Sequence, residues 1–206
     1  MKRAWRFLVF LLVTEWRMYV GLVRLLARRS DVPAGAEPVP YVGGVALLLW
    51  GFTTVSVIEL VALHLVIPWE DDVRLAADVL GIWSVVWCLG LTGCHYVYPH
   101  LATADGLELR LQRHRPAVTV PWDAVGAVRV RERSVESGRA LQVDDGVLAV
   151  PVDKRTTLEL VLTRPLAVTV RGVTTEVHEV RVYDDEPREV ARAARRLMSS
   201  GAADPA

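Results

Sequence analysis

The sequence predicts an α+β membrane protein: an amphipathic N-terminal helix, a hairpin of two membrane-spanning helices, and a C-terminal β-barrel or sandwich of about seven strands closed by a terminal helix. Three observations predict it. Two long apolar runs, residues 41–69 and 75–98, are split by the acidic triplet Glu70-Asp71-Asp72. From Asp105 onward, apolar residues alternate with polar ones instead of following a helical period. The net charge of zero is partitioned along the chain: seven Lys/Arg against three Asp/Glu in residues 1–40, one against five in 41–98, and sixteen against sixteen in 99–206.

Residues 1–30 read as a helix lying in the membrane interface. On a wheel of about 100° per residue, Arg3, Arg6, Arg17, Arg24 and Arg28 fall in one narrow stripe. Trp5, Leu8, Leu12, Trp16, Tyr19, Val23 and Leu26 lie away from it. That pattern suits an anionic inner leaflet. Residues 1–13 mimic the start of a signal peptide and Ala34-Gly35-Ala36 its cleavage site, but six charged residues intervene where a real site follows its apolar region closely. Phe10 and Val13 interrupt the arginine stripe, which leaves a full crossing open as the alternative. Residues 31–40, DVPAGAEPVP, then read as a Pro-rich linker.

A spanning helix needs roughly 20 apolar residues to cross a core of ~30 Å. Residues 79–98 supply that length without a charge, as do 42–58 for most of the first run. Transmembrane helix 1 is placed at 41–69, an extracytoplasmic acidic turn at 70–74, and transmembrane helix 2 at 75–98. Several of Trp50, Trp69, Trp83, Trp87, Tyr96 and Tyr98 stand near the ends, where interfacial rings belong. Arg24, Arg28 and Arg29 precede the first span and Arg110, Arg113 and Arg115 follow the second, while the turn holds Arg74 alone. The positive-inside rule then places both termini in the cytoplasm and the acidic turn outside.

Two polar residues interrupt the first run. Glu59 and His64 form a candidate intramembrane site, because an ionisable group inside a membrane is a functional hypothesis by default. Against that, Glu59 lies about 27 Å along a span beginning at Tyr41, near the outer boundary of the hydrocarbon. Cys88 and Cys94 are six residues apart on different faces of one helix, a poor geometry for a disulfide.

Residues 99–200 carry the strand signals. Leu107/Leu109/Leu111, Val128/Val130, Leu148/Val150/Val152, Leu158/Leu160/Leu162, Leu166/Val168/Val170 and Val180/Val182 each alternate with other residues. Turn signals stand between them at Asp105-Gly106, Asp144-Asp145-Gly146, Arg164-Pro165 and Arg171-Gly172. Asp184-Asp185-Glu186-Pro187 then opens a final helix with an apolar stripe of Val190, Ala194, Leu197 and Met198. Residues 201–206 read as a disordered tail. The segments Thr103-Ala104-Asp105-Gly106-Leu107 and Val120-Pro121-Trp122-Asp123-Ala124-Val125, with Val128-Arg129, resemble the bacterial pleckstrin-homology-like domain. That resemblance covers about half the chain. It implies a first strand opening on Asp-Gly-Leu, a corner packed by Trp122, and a binding or assembly scaffold attached to paired membrane helices.

No catalytic, cofactor or metal-ligand motif appears: no G-x-S-x-G, P-loop, H-E-x-x-H or paired Cys/His spacing. A non-enzymatic module without a cofactor is expected. Arg110, Arg113, Arg115, Arg129, Arg131 and Arg133 are the candidate surface for anionic lipid headgroups or a protein partner. The expected partners are the lipid bilayer and a homo-oligomer or another membrane protein; nucleic acid is not expected from a neutral domain with few aromatics. The alternative is an oligomeric channel or transporter component working through Glu59 and His64.

Overall fold

The computed structural model describes residues 2–68 and 72–201. They divide into two compact units, one of residues up to 30 with 46–97, the other of residues 31–45 with the chain from 98 onward.

The helical unit holds α1 (Lys2–Leu26), most of α2 (Gly43–Val66) and α3 (Asp72–Val97). At 1.5 Å per residue, α2 and α3 run about 36 and 39 Å, and both are long and apolar enough to cross a membrane. Their apolar side chains point outward. Leu47, Phe52, Ile58 and Leu65 on α2, and Leu75, Leu80 and Ile82 on α3, are exposed. Two threonine hydroxyls bond within their own helix: Thr53 Oγ1 donates to the Leu49 carbonyl and Thr92 Oγ1 to that of Cys88, each at 2.9 Å. Both cysteines are free. Of the acidic turn expected at 70–74, Glu70 and Asp71 lie outside the described residues, as does Trp69. Asp72 and Arg74 already belong to α3.

α1 meets α3 through glycine. A Cβ at Gly93 would stand 2.7 Å from the Gly21 carbonyl oxygen, and one at Gly90 2.6 Å from that of Met18. Only hydrogen lets these backbones touch.

The β unit begins earlier than the sequence implies. Residues 31–40, read as a linker, contain β1 (Glu37–Val39), which pairs antiparallel with β2 (His100–Ala102). Pro38 is tolerated because β1 is an edge strand, and Val39 is fully buried. Tyr41 and Val42, assigned to the first span by hydropathy, are also buried in this unit.

The first sheet runs β1-β2-β3-β4, with β3 (Gly106–Leu109) and β4 (Val118–Pro121) completing an antiparallel set. The second has the order β5-β8-β9-β7-β6, from β5 (Val125–Ser134), β6 (Gln142–Asp144), β7 (Val147–Val150), β8 (Arg155–Val170) and β9 (Val173–Val182). Its one parallel pair is β7 with β9. Leu107, Leu109, Val118 and Val120 from the first sheet share one core with Leu148, Leu158, Leu160, Val180 and Val182 from the second. The result is a β-sandwich. α4 (Pro187–Gly201) adds Val190, Ala191 and Ala194 to that core. Residues 202–206, expected as a tail, lie outside the described residues.

Two strand expectations change. Eight strands follow residue 98 among the described residues, and the 158–162 and 166–170 segments are one strand, β8, rather than two. Arg164-Pro165 marks no turn. It sits where the β8–β9 register slips between Val161 and Leu166, a bulge that accommodates the missing proline N–H. Asp105-Gly106 stands at the β2–β3 turn, and Asp145-Gly146 and Arg171-Gly172 are turns with paired positive φ (45°/71° and 54°/82°), the hairpin geometry that suits the twist of the strands.

The glycine contact yields a prediction. Gly93→Leu should weaken α1–α3 packing by about 1–3 kcal/mol. Gly51→Ala, with open space around it, should leave stability unchanged or raise it by up to about 1 kcal/mol. Thermal unfolding of the two variants in detergent checks both.

Candidate binding cleft

The six arginines read as one surface serve three different purposes. Arg110 is no surface residue: its side chain is 4% exposed. Its guanidinium donates to the Asp31 carbonyl at 2.8 Å and to Asp31 Oδ2 at 3.1 Å, and it also reaches Glu108. The Arg110 backbone N–H donates to His100 Nδ1 at 2.9 Å. His114 Nδ1 lies 2.6 Å from the same Asp31 carboxylate. Strand alternation marks Arg110 as polar, but its partner stands 79 residues away.

Arg129, Arg131 and Arg133 lie along β5, an edge strand of the second sheet. Two of them cover a buried acid. Glu159 of the neighbouring β8 is 3% exposed, with Arg129 at 3.4 Å and Arg133 at 3.8 Å. Arg131 is exposed. Glu159 offsets one of the three charges, so this stripe serves in part as the counter-charge of a buried acid.

Arg113 and Arg115 are different. Both are exposed in the 110–117 loop between β3 and β4. They line a cleft of about 550 Å³ with Arg171 from the β8–β9 hairpin. Leu111, Pro116, Leu141 and Val170 supply an apolar wall, and no acidic residue lines it. A second cavity of similar volume mixes Glu136, Asp144 and Asp145 with Arg139 and Arg181, so it presents no single sign. An apolar floor rimmed by three guanidiniums suits an anion attached to an apolar body. Sequence inspection takes Arg171 for turn punctuation; only the convergence of two loops shows it as a third cation.

The other candidate site is rearranged as well. His64 Nδ1 lies 3.0 and 3.1 Å from the two Asp78 carboxylate oxygens, and Arg74 donates to His64 Nε2 at 2.7 Å. With Nδ1 carrying the proton toward Asp78, Nε2 is free to accept from Arg74. Arg74 also approaches the Ile67 carbonyl near the end of α2 at 3.5 Å. The three side chains form a clasp across the α2–α3 hairpin. Glu59 is exposed on α2 and has no part in it; five residues from His64, it lies about 140° around the helix.

Where residues 31–45 join the strands, two titratable groups are displaced from their ordinary range. His100 is fully buried, stacked on Tyr41 at 4.6 Å. Burial drives its pKa from 6.5 down to about 3. Asp184, 1% exposed, accepts from the Glu186 N–H through Oδ1, while Oδ2 is buried without a hydrogen-bond partner among the described residues. Burial raises its pKa from 3.8 to about 7. Its neighbour Asp185 accepts from the Gly43 N–H at 2.8 Å, so this acid caps α2 rather than the helix it precedes. Among the described residues, no group of three His, Cys, Asp or Glu side chains is arranged to hold a metal ion.

The two shifts act oppositely on stability. A buried neutral histidine binds fewer protons folded than unfolded, so His100 makes stability rise with pH between about 3 and 6.5. Asp184 binds more when folded, so it makes stability fall between about 4 and 7. Through most of that range the slopes offset one another. Asp184→Asn should leave only the rising slope, visible as a gain in stability at pH 7 relative to pH 4 in denaturant titrations of the full chain.

No family model, curated protein or solved structure matches this chain.

Proposed function

We propose that this protein is a membrane-anchored scaffold or binding module. The α2–α3 hairpin holds a pleckstrin-homology-like β unit at the cytoplasmic face of a bacterial inner membrane. It works without catalysis, through protein–protein contacts or weak contacts with lipid surfaces. Support for the anchor comes from two exposed apolar helices long enough to cross a bilayer. Support for the pleckstrin-homology-like reading comes from the two-sheet sandwich, a terminal helix packed on its core, and Trp122 at the β4–β5 corner. The Trp122 indole N–H donates to the Thr103 carbonyl at 2.8 Å, tying the corner to the Asp-Gly-Leu strand.

The observation that carries the binding half is the cleft lined by Arg113, Arg115 and Arg171 without an acid. Each arginine near an anionic surface is worth about 1 kcal/mol. The full chain in zwitterionic nanodiscs should therefore associate with phosphatidylserine vesicles and not with neutral ones. Replacing all three arginines by alanine should weaken that association about a hundredfold. Unchanged association would assign the cleft to a protein partner or to none.

The rival reading, an oligomeric channel or transporter component, draws on the clasp that ties His64 to Arg74 and Asp78. An ion flux lost in Glu59→Gln and His64→Ala but retained after removal of 99–206 would favour it. Loss only on removal of the β unit would favour the scaffold.

A further inference from the structure

Composition makes α1 a weaker candidate for crossing than α2 or α3, since it carries Lys2, Arg3, Arg6, Glu15, Arg17 and Arg24 within its length. Its packing points the other way. Met18 lies on Gly90, Gly21 on Gly93 and Cys94, and Leu22 on Gly93. Cys94 Sγ approaches the Arg17 carbonyl at 3.4 Å. Residue numbers rise together along the two helices, so α1 and α3 run parallel. The contact continues to their C-terminal ends, where Arg24, Leu25, Arg28 and Arg29 share a small cavity with Tyr96 and Val97.

A helix lying flat on the membrane would cross α3 at one point and diverge. α1 instead follows it, with backbone-to-backbone contacts of the kind that join helices in lipid. On the side away from α3, Val9, Leu12, Trp16, Tyr19, Val23 and Leu26 are exposed at alternating steps of three and four. With Trp5, also exposed, the stripe is about 31 Å long, close to the ~30 Å of a bilayer core. Arg17 and Arg24 lie only about 40° and 60° around the helix from Gly21, beside the packed face rather than on the stripe. Polar groups turned inward with an apolar stripe outward is the arrangement of a helix in lipid.

We propose that α1 is a third membrane-crossing helix, parallel to α3, with its apolar stripe against lipid acyl chains. The N-terminus of α1 and the C-terminal end of α3, where the chain continues at Tyr98, then lie on opposite faces of the bilayer. This replaces the expectation that both termini share the cytoplasm. It rests on the reading that α2 and α3 span.

Single cysteines introduced as Lys2→Cys, Asp71→Cys and Glu136→Cys in the full chain, labelled with an impermeant maleimide in intact cells and after lysis, test it. The wild-type protein, whose Cys88 and Cys94 lie within α3, is the blank. Lys2→Cys and Asp71→Cys should react from one face and Glu136→Cys only from the other. If Lys2→Cys follows Glu136→Cys while Asp71→Cys stays opposite, α1 does not cross and the hairpin stands. If Asp71→Cys follows Glu136→Cys, the hairpin reading itself fails. A Lys2→Cys shielded from both faces also overturns the crossing. Oxidative crosslinking of Leu12→Cys, Trp16→Cys, Tyr19→Cys and Val23→Cys distinguishes the occupant. Lipid predicts no discrete dimer, and strong dimers recurring along the stripe would assign it to a second copy of the chain.

Discussion

The ion pair between Arg110 and Asp31 is the interaction on which the β unit's outline depends. Both groups are largely shielded from water, and a buried pair broken on one side costs about 3–5 kcal/mol because the survivor is left uncompensated. The pair fastens the chain just before β1 to the residue that follows the end of β3. With that end fixed, β1 extends the first sheet, Tyr41 stacks on His100, and the Gly43 N–H meets Asp185. A proline-rich stretch with no helical or strand period of its own is therefore tied down chiefly by partners distant in sequence. The first turn of α2 starts from that anchored segment.

A second constraint governs the helices. Apolar helices cannot leave polar groups without partners where water is absent. Thr53 and Thr92 return their hydroxyls to carbonyls one turn back, and His95 does the same toward Leu91. Where charge is unavoidable, it is gathered: His64, Arg74 and Asp78 neutralise and bond one another across the hairpin rather than standing separately. In the proposed membrane setting of α1, the close glycine approach to α3 supplies van der Waals contact in place of the hydrophobic effect.

The arginines show how residue type alone misleads about role. Arg110 is a buried fastener, and Arg129 and Arg133 cover the carboxylate of Glu159. Arg113 and Arg115 are directed with Arg171 onto a shared cleft. Residue type and alternation alone do not separate these six candidates in the sequence. What separates them is whether an acid lies within reach, and that acid comes from another strand or segment.

Local pattern by itself determined much of this protein. Uninterrupted apolar length specified α2 and α3, period-two alternation specified the inward sets such as Leu107/Leu109 and Leu158/Leu160, and Asp-Gly and Arg-Gly pairs specified hairpins that need positive φ. These features depend on neighbours within a few residues, so a sequence can carry them. Tertiary structure alone decided that residues 31–42 belong to the strands, that Pro165 bends a continuous β8 instead of ending it, and that Asp185 caps α2 rather than α4. It alone joined Arg171 to Arg113 and Arg115, and His64 to Asp78 rather than Glu59. The reason is distance along the chain: each of these outcomes turns on which of several equally plausible charges or strand edges the folded backbone brings within reach, and that choice is made by packing.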